Sequence, residues 1–165
     1  MSDKLYYSEK NNKSFIKAEG HITASLCQDL RQKIFDKLSS GSISEINVDL
    51  SDCNYMDSTF MGILVGFNRR LEKANGNKVA IYGAGKECLS LLESMEMIKV
   101  LKIMPLEQKI EANIQYTELG KNQDIDPNLL LKSHENLMEL SESNKQKFST
   151  LHDILQSQIN ASKNN

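Results

Sequence analysis

Residues 45–71 read "EINVDLSDCNYMDSTFMGILVGFNRRL", and the junction inside this stretch decides the fold. Ile46, Val48 and Leu50 alternate with polar residues, which predicts a short strand over 45–50. From Phe60 to Ala74, Met61, Ile63, Leu64, Val65, Phe67 and Leu71 fall on several sides of a helical turn, which predicts a helix buried over much of its circumference. Between the two lies the polar triplet Asp57, Ser58, Thr59. Asp57 or Ser58 in that place accepts a hydrogen bond from a free helix amide, worth about 1 kcal/mol. A serine hydroxyl at such a start is expected to be exposed because the strand has ended. A phosphate on it would meet free amides and the positive end of the helix dipole.

Toward the N-terminus, "KLYYSE" and "SFIKAEG" flank Asn11 and Asn12, which supply turn chemistry for an antiparallel hairpin. "TASLCQDLRQKIFDKLSS" then places Leu26, Leu30, Ile34 and Leu38 four residues apart, which predicts a helix capped by Thr23 or Ser25 and stopped near Gly41. Toward the C-terminus, "NGNK" ends the central helix, and strand "KVAIYG", helix "KECLSLLESMEM" and strand "KVLKIM" follow before Pro105. Repeated strand, helix, strand units imply parallel pairing through right-handed crossovers. The expected fold class is α/β: a small mixed sheet of about five strands with helices packed on it, plus a helical C-terminal extension.

Beyond Pro105, "LEQKIEANIQYTEL" predicts one more amphipathic helix through Leu106, Ile110 and Ile114. Gly120 is a stop signal, and Asp126 with Pro127 supplies the cap and first turn of a new element. From Pro127 to about Ile159 a helix-rich tail carries Leu130, Leu137, Leu140, Phe148, Leu151, Leu155 and Ile159, broken at 141–147, "SESNKQK". So thin a stripe cannot build a core alone; the tail packs on the α/β body, folds back as a hairpin, or pairs with another chain. The final "NASKNN" is expected to fray. The expected division is an α/β domain over 1–119 and a helical extension over 120–165.

Composition narrows the function classes. Twenty basic and 22 acidic residues, mixed along 165 positions, leave no electrostatic footprint for nucleic acid or an anionic membrane. Cys27, Cys53 and Cys88 are odd in number and set among apolar residues, so they read as reduced, semi-buried thiols. His21, His134 and His152 lack metal-ligand spacing and fit no Ser, His, Asp arrangement, and Asp124 and Asp126 read as turn residues; neither a metal, a cofactor nor an enzymatic activity is expected. "YGAGKECLS" has Gly83, Gly85 and Lys86 between a strand and a helix, but Ala80 and Glu87 stand where a phosphate-binding loop needs Gly and Ser or Thr. It reads as a plain strand-to-helix turn. "MSDKLYYSEKNNK" lacks the apolar region of a signal peptide and no window reaches the ~18 apolar residues that span a bilayer, so a soluble cytoplasmic protein is expected.

The stretch "INVDLSDCNYMDSTFMGILVGFNRRLEKANGNKVAIYGAGKECLSLLESMEMIKVLKI" resembles the central part of a STAS domain, the family of bacterial anti-sigma factor antagonists. The resemblance covers roughly Leu5 to Met104 and is most specific from Val48 to Gly62. It implies a partner-switching regulator that binds an anti-sigma factor with serine kinase activity while unphosphorylated, lets go when phosphorylated, and is reset by a phosphatase. The implied phosphoacceptor is Ser58, with Thr59 as second choice, and the implied partner surface comprises Thr23, Asp57, Ser58, Thr59, Phe60 and Met61. Two positions depart from the family pattern. Phe60 stands where glycine is frequent and is expected to add a bulky apolar group to the partner surface, while Thr23 replaces an acidic residue near the serine. The alternative is a non-phosphorylated STAS scaffold whose C-terminal helices mediate partner contacts or a homodimer, with Ser58 only a cap.

Overall fold

The structure is a computed structural model that describes residues 2–122 and 124–164. A hairpin opens it: β1 (Lys4–Lys10) and β2 (Lys13–Ile22) pair antiparallel about Asn11 and Asn12, whose φ values of 54° and 64° give the left-handed turn that asparagine tolerates. A 3-10 turn, Ala24–Leu26, leads into α1 (Gln28–Ser40), which ends at Gly41 with φ 72°. Then come β3 (Glu45–Met56), α2 (Ser58–Asn75), β4 (Ala80–Tyr82), α3 (Lys86–Ser94), β5 (Lys102–Ile103) and β6 (Thr117–Glu118). The sheet runs β5-β4-β3-β2-β1-β6, parallel from β5 to β2 and antiparallel across β2-β1-β6. The mixed α/β architecture with helical extension is the expected one, with six strands rather than about five.

Three elements differ from the sequence reading. β3 runs six residues past Leu50, because β2 continues alongside it and pairs Gly20 with Cys53, His21 with Tyr55 and Ile22 with Met56. The helix expected over 106–119 does not form. Leu106 is 61 % exposed, and the segment instead crosses from β4 and β3, where Leu106 and Ile110 line a cleft with Asp49, Ser51, Tyr82 and Gly83, to the free edge of β1, which only its last residues pair: Glu111 pairs with Lys10 at 3.0 Å, Tyr116 meets Tyr6 edge-on, and Leu119 N donates to Leu5 O at 2.8 Å. An unpaired sheet edge offers a row of backbone partners, and covering it outweighs a weak amphipathic pattern. Finally, α1 is not capped by Thr23 or Ser25; those hydroxyls lie 3.2 Å from each other, and neither Thr23 nor Cys27 gives a side-chain cap bond.

The core gathers both flanks. Leu5, Ile16, Val48 and Leu50 from the sheet meet Leu30 and Ile34 of α1 and Phe60, Leu64, Phe67 and Leu71 of α2. Asn68, in the middle of α2, is buried yet satisfied: its Oδ1 accepts from Val79 N at 2.8 Å and its Nδ2 donates to Val100 O at 3.3 Å. That pair of bonds ties α2 to both ends of the α3 crossover. The tail forms α4 (Pro127–Met138) and α5 (Glu142–Lys163), a helical hairpin that also docks on the body, with Leu129, Leu137 and Phe148 in the same apolar cluster. Asp126 caps α4 through Asn128 N at 2.9 Å with Pro127 in the first turn, as expected. Helix α5 reaches Lys163, through most of the segment expected to fray. No helix of the described residues is long and apolar enough to cross a membrane.

Candidate functional site

The site is the N-terminus of α2. Asp57 is its N-cap, in extended backbone, and both carboxylate oxygens are used: Oδ1 accepts from Phe60 N and Oδ2 from Ala24 N, each at 2.9 Å. One side chain therefore closes two chain turns, that after β2 and that after β3. Asp57 N in turn donates to Ile22 O at 3.0 Å. Burial pushes the Asp57 carboxyl above the usual carboxylate range, opposed by the amides of Phe60, Ala24 and Thr59 that favour its ionised form.

Ser58 follows as the first helical residue, so the cap is Asp57 and not Ser58. Its hydroxyl is half-buried rather than freely exposed, and the reason lies 76 residues on: Ser58 Oγ is 2.9 Å from Nε2 of His134 on α4. Thr23 is exposed beside this turn. Thr59, Phe60 and Met61 are 3 %, 0 % and 2 % exposed. The expectation that Phe60 adds bulk to a partner surface is therefore corrected for this structure: its side chain is wholly buried within the hydrophobic core. With Thr59 and Met61 equally covered, the accessible part of the predicted set is Thr23, Asp57 and Ser58.

Sequence reasoning missed His134. It sits on the apolar side of α4 with Leu137 and is 3 % exposed, stacked on Phe148 of α5 with ring centroids 5.0 Å apart and planes 9° from parallel. Burial, helped by His152, holds the imidazole below its ordinary pKa. Its Nδ1 has no hydrogen-bond partner among the described residues. A histidine within an apolar stripe was the available signal, but nothing local names Ser58 as its partner. The pair has the nucleophile-to-base contact of acyl-transfer sites without the third group that orients such a base.

Around this contact α4 lies along one face of α2. Ser133 backbone presses on Gly62 so closely that a Cβ on Gly62 would fall 2.1 Å from Ser133 O. Asn136 Nδ2 donates to Gly62 O at 3.1 Å and its Oδ1 accepts from Arg69 at 3.1 Å, while Arg69 pairs with Glu139 at 2.7 Å. Helix α5 clamps the arrangement from outside. Asn144, fully buried, donates to Met95 O and Leu137 O, both at 2.9 Å, and Lys147 donates to Ser94 O at 2.9 Å.

Gly83, with φ 67°, turns the chain after β4 against Ser51, where a Cβ would fall 2.9 Å from that of Ser51. Cys27, Cys53 and Cys88 are free and buried. Among the described residues, no group of three or more His, Cys, Asp or Glu side chains is arranged to hold a metal ion.

Comparison with known proteins matches the first two-thirds of this geometry. A family model described as "Mlab, STAS domain" matches residues 5–104. Among solved structures, the anti-sigma factor antagonist SpoIIAA in its unphosphorylated form superposes with a TM-score of 0.52 at 16 % identity, covering 63 % of this chain and 88 % of that one. The phosphorylated form of the Bacillus cell fate determinant SpoIIAA gives 0.51 at 16 % identity, over 63 % and 92 %. An anti-sigma factor antagonist from Mycobacterium paratuberculosis gives 0.53 at 19 % identity, over 64 % and 88 %. At such identities the likeness is one of fold, and the hairpin α4–α5 lies beyond the residues that the family model matches.

Proposed function

Because this chain belongs to the STAS-domain family, we propose that it is a non-enzymatic partner-switching regulator of the anti-sigma factor antagonist kind, controlled by phosphorylation of Ser58. Its partners are an anti-sigma factor with serine kinase activity and a phosphatase that restores the unmodified form, all in the cytoplasm. Residues 1–119 form the switching domain and 120–165 an appended helical unit. The carrying observation is the placement of Ser58 as the first residue of α2, directly after the capping Asp57. A phosphate on Ser58 adds about −1.5 to −2 charges. It would face the helix N-terminus, which tolerates that charge without unfolding the body, and the Asp57 carboxylate, which repels it. A dianion in the middle of a contact surface therefore weakens the complex and leaves the fold standing. Thr59, 3 % exposed, is the poorer acceptor.

The direct test incubates the protein with ATP and a candidate serine kinase from the same genome and locates phosphate by mass spectrometry. Phosphate at Ser58, lost in Ser58→Ala, and kinase binding weakened by Ser58→Asp are expected. No phosphate at Ser58 together with no kinase binding sinks the switch. A second reading, a scaffold that is never phosphorylated, draws on the Ser58–His134 contact and on Leu151 and Ile154 of α5, which are 41 % and 49 % exposed and suit a homodimer or partner contact through the C-terminal helices.

A further inference from the structure

The face of α2 that leads away from Ser58 is shaped to receive a helix. Ser58, Gly62, Gly66 and Arg69 recur at the helical repeat, so they share one side of α2. Two glycines form its floor. A Cβ on Gly62 would collide with Ser133 backbone, and one on Gly66 would come within 2.6 Å of Asn136 Nδ2. The notch at Gly62 admits the backbone of a crossing helix, the device by which small residues bring helices into close contact, and that at Gly66 admits an asparagine side chain from it. The polar groups on this face are those that a helix satisfies: the Gly62 carbonyl takes Asn136, and the Arg69 guanidinium takes Glu139. Contacts line the face from Ser58 with His134 and Gly62 with Ser133 to Arg69 with Glu139.

Helix α4 is a resident of this face from outside the family-matched residues, and the described residues between Glu118 and Asp126 that join it to the body form neither helix nor strand. We infer that the Ser58–Arg69 face of α2 is a helix-docking surface, that α4 occupies it in cis, and that the partner presents an amphipathic helix that takes the place of α4. That helix carries a small residue at the glycine notch and, six positions on, an acid for Arg69, as Ser133 and Glu139 do here. The identity of the competitor rests on the proposed function; the docking surface does not. The two meet at Ser58. Its hydroxyl lies 2.9 Å from His134 Nε2, a contact that a phosphoryl group on Oγ would have to push aside while α4 is seated. Phosphorylation and the closed hairpin exclude each other, so displacement of α4 precedes modification of Ser58.

The test uses the full chain opened by a substitution in α4 that leaves α2 untouched, Ser133→Trp, and a fluorescein-labelled peptide of residues 126–163 as probe. By fluorescence anisotropy the peptide binds the Ser133→Trp chain at least tenfold more tightly than the wild-type chain, whose face is filled. Arg69→Glu in the opened chain weakens binding about tenfold, and Glu139→Arg in the peptide restores it. The double variant His134→Ala, Leu137→Ala opens the hairpin by removing contacts and replaces Ser133→Trp if that chain does not fold. Equal binding to closed and opened chains, or an Arg69→Glu loss that Glu139→Arg does not restore, overturns the docking surface. A wild-type chain that runs as a dimer with exchanged hairpins gives the face to a second copy and overturns the cis assignment. The assay contains neither kinase nor ATP, so its failure leaves phosphorylation of Ser58 untouched, and a failure of phosphorylation leaves the peptide result standing.

Discussion

Gly62→Ala separates the two jobs of α2. On the isolated helix the change is favourable by about 1 kcal/mol, because alanine lowers the backbone entropy lost on helix formation. Against α4 it is unfavourable: the new carbon would sit 2.1 Å from Ser133 O, 2.6 Å from Ser133 C and 2.8 Å from Ser133 Cα, all backbone atoms that no rotamer change can move aside. Relieving that overlap shifts α4 bodily, at an overpacking cost of about 1–3 kcal/mol. The shift stretches the Asn136–Gly62 and Ser58–His134 hydrogen bonds, each contributing about 1 kcal/mol. The helix-propensity gain is shared by open and closed states and does not offset this, so docking weakens by about 2–4 kcal/mol. Hydrogen exchange read by mass spectrometry gives the outcome by element. Amides of α4 and α5 exchange about 30-fold faster or more, since 1.4 kcal/mol is tenfold. Amides of β2 and β3 keep their protection. Unchanged protection of α4 in Gly62→Ala would refute the reasoning, since the helix would then have absorbed a methyl group where the structure has no space.

Acid opens the hairpin. Burial holds His134 below its ordinary pKa, whereas an undocked ring returns to about 6.5. The closed state thus binds fewer protons, and its stability is full above pH ~6.5 and falls as pH drops toward the closed-state value, by at most about 1.4 kcal/mol per unit. Exchange of α4 amides against pH shows this, and His134→Asn flattens the profile. Asp57→Ala removes acceptors from both Phe60 N and Ala24 N and lowers stability by about 2–3 kcal/mol in a denaturant titration, whereas the neighbouring Ser58→Ala stays within about 1 kcal/mol. Asn144→Ala leaves the Met95 carbonyl without its side-chain donor, while Leu137 O keeps Leu140 N at 3.1 Å, and destabilises α5 by about 1–3 kcal/mol, seen as earlier melting of the hairpin in a thermal scan.

Much of the body was legible in the residues. Asn11 and Asn12 announced a hairpin turn, Leu30 and Ile34 announced the apolar stripe of α1, and the Asp57, Ser58 pair announced the start of α2. Each is a local statement, set by backbone sterics or by side-chain period within one element. Legibility failed where a distant surface outbid the local pattern. Leu106, Ile110 and Ile114 have helical spacing, yet the chain there crosses extended from β3 and β4 toward the β1 edge, where Thr117 and Glu118 find the backbone partners that an edge strand leaves open. Phe60 was legible as apolar and illegible as to direction, because the rotation of α2 about its axis is set by what packs on either side.

The candidate site divides in the same way. By itself the sequence determined that a cap lies at Asp57 or Ser58 and that the body is α/β of the STAS kind, since a cap and a strand-to-helix junction are properties of neighbouring residues. Only the tertiary structure decided that Ser58 is half-buried, that His134 lies against its hydroxyl, and that Gly62 is a notch rather than a weak point in a helix. The physical reason is separation: Ser58 and His134 stand 76 residues apart, and their contact exists because two helices, each with its own pattern, bury their apolar faces together.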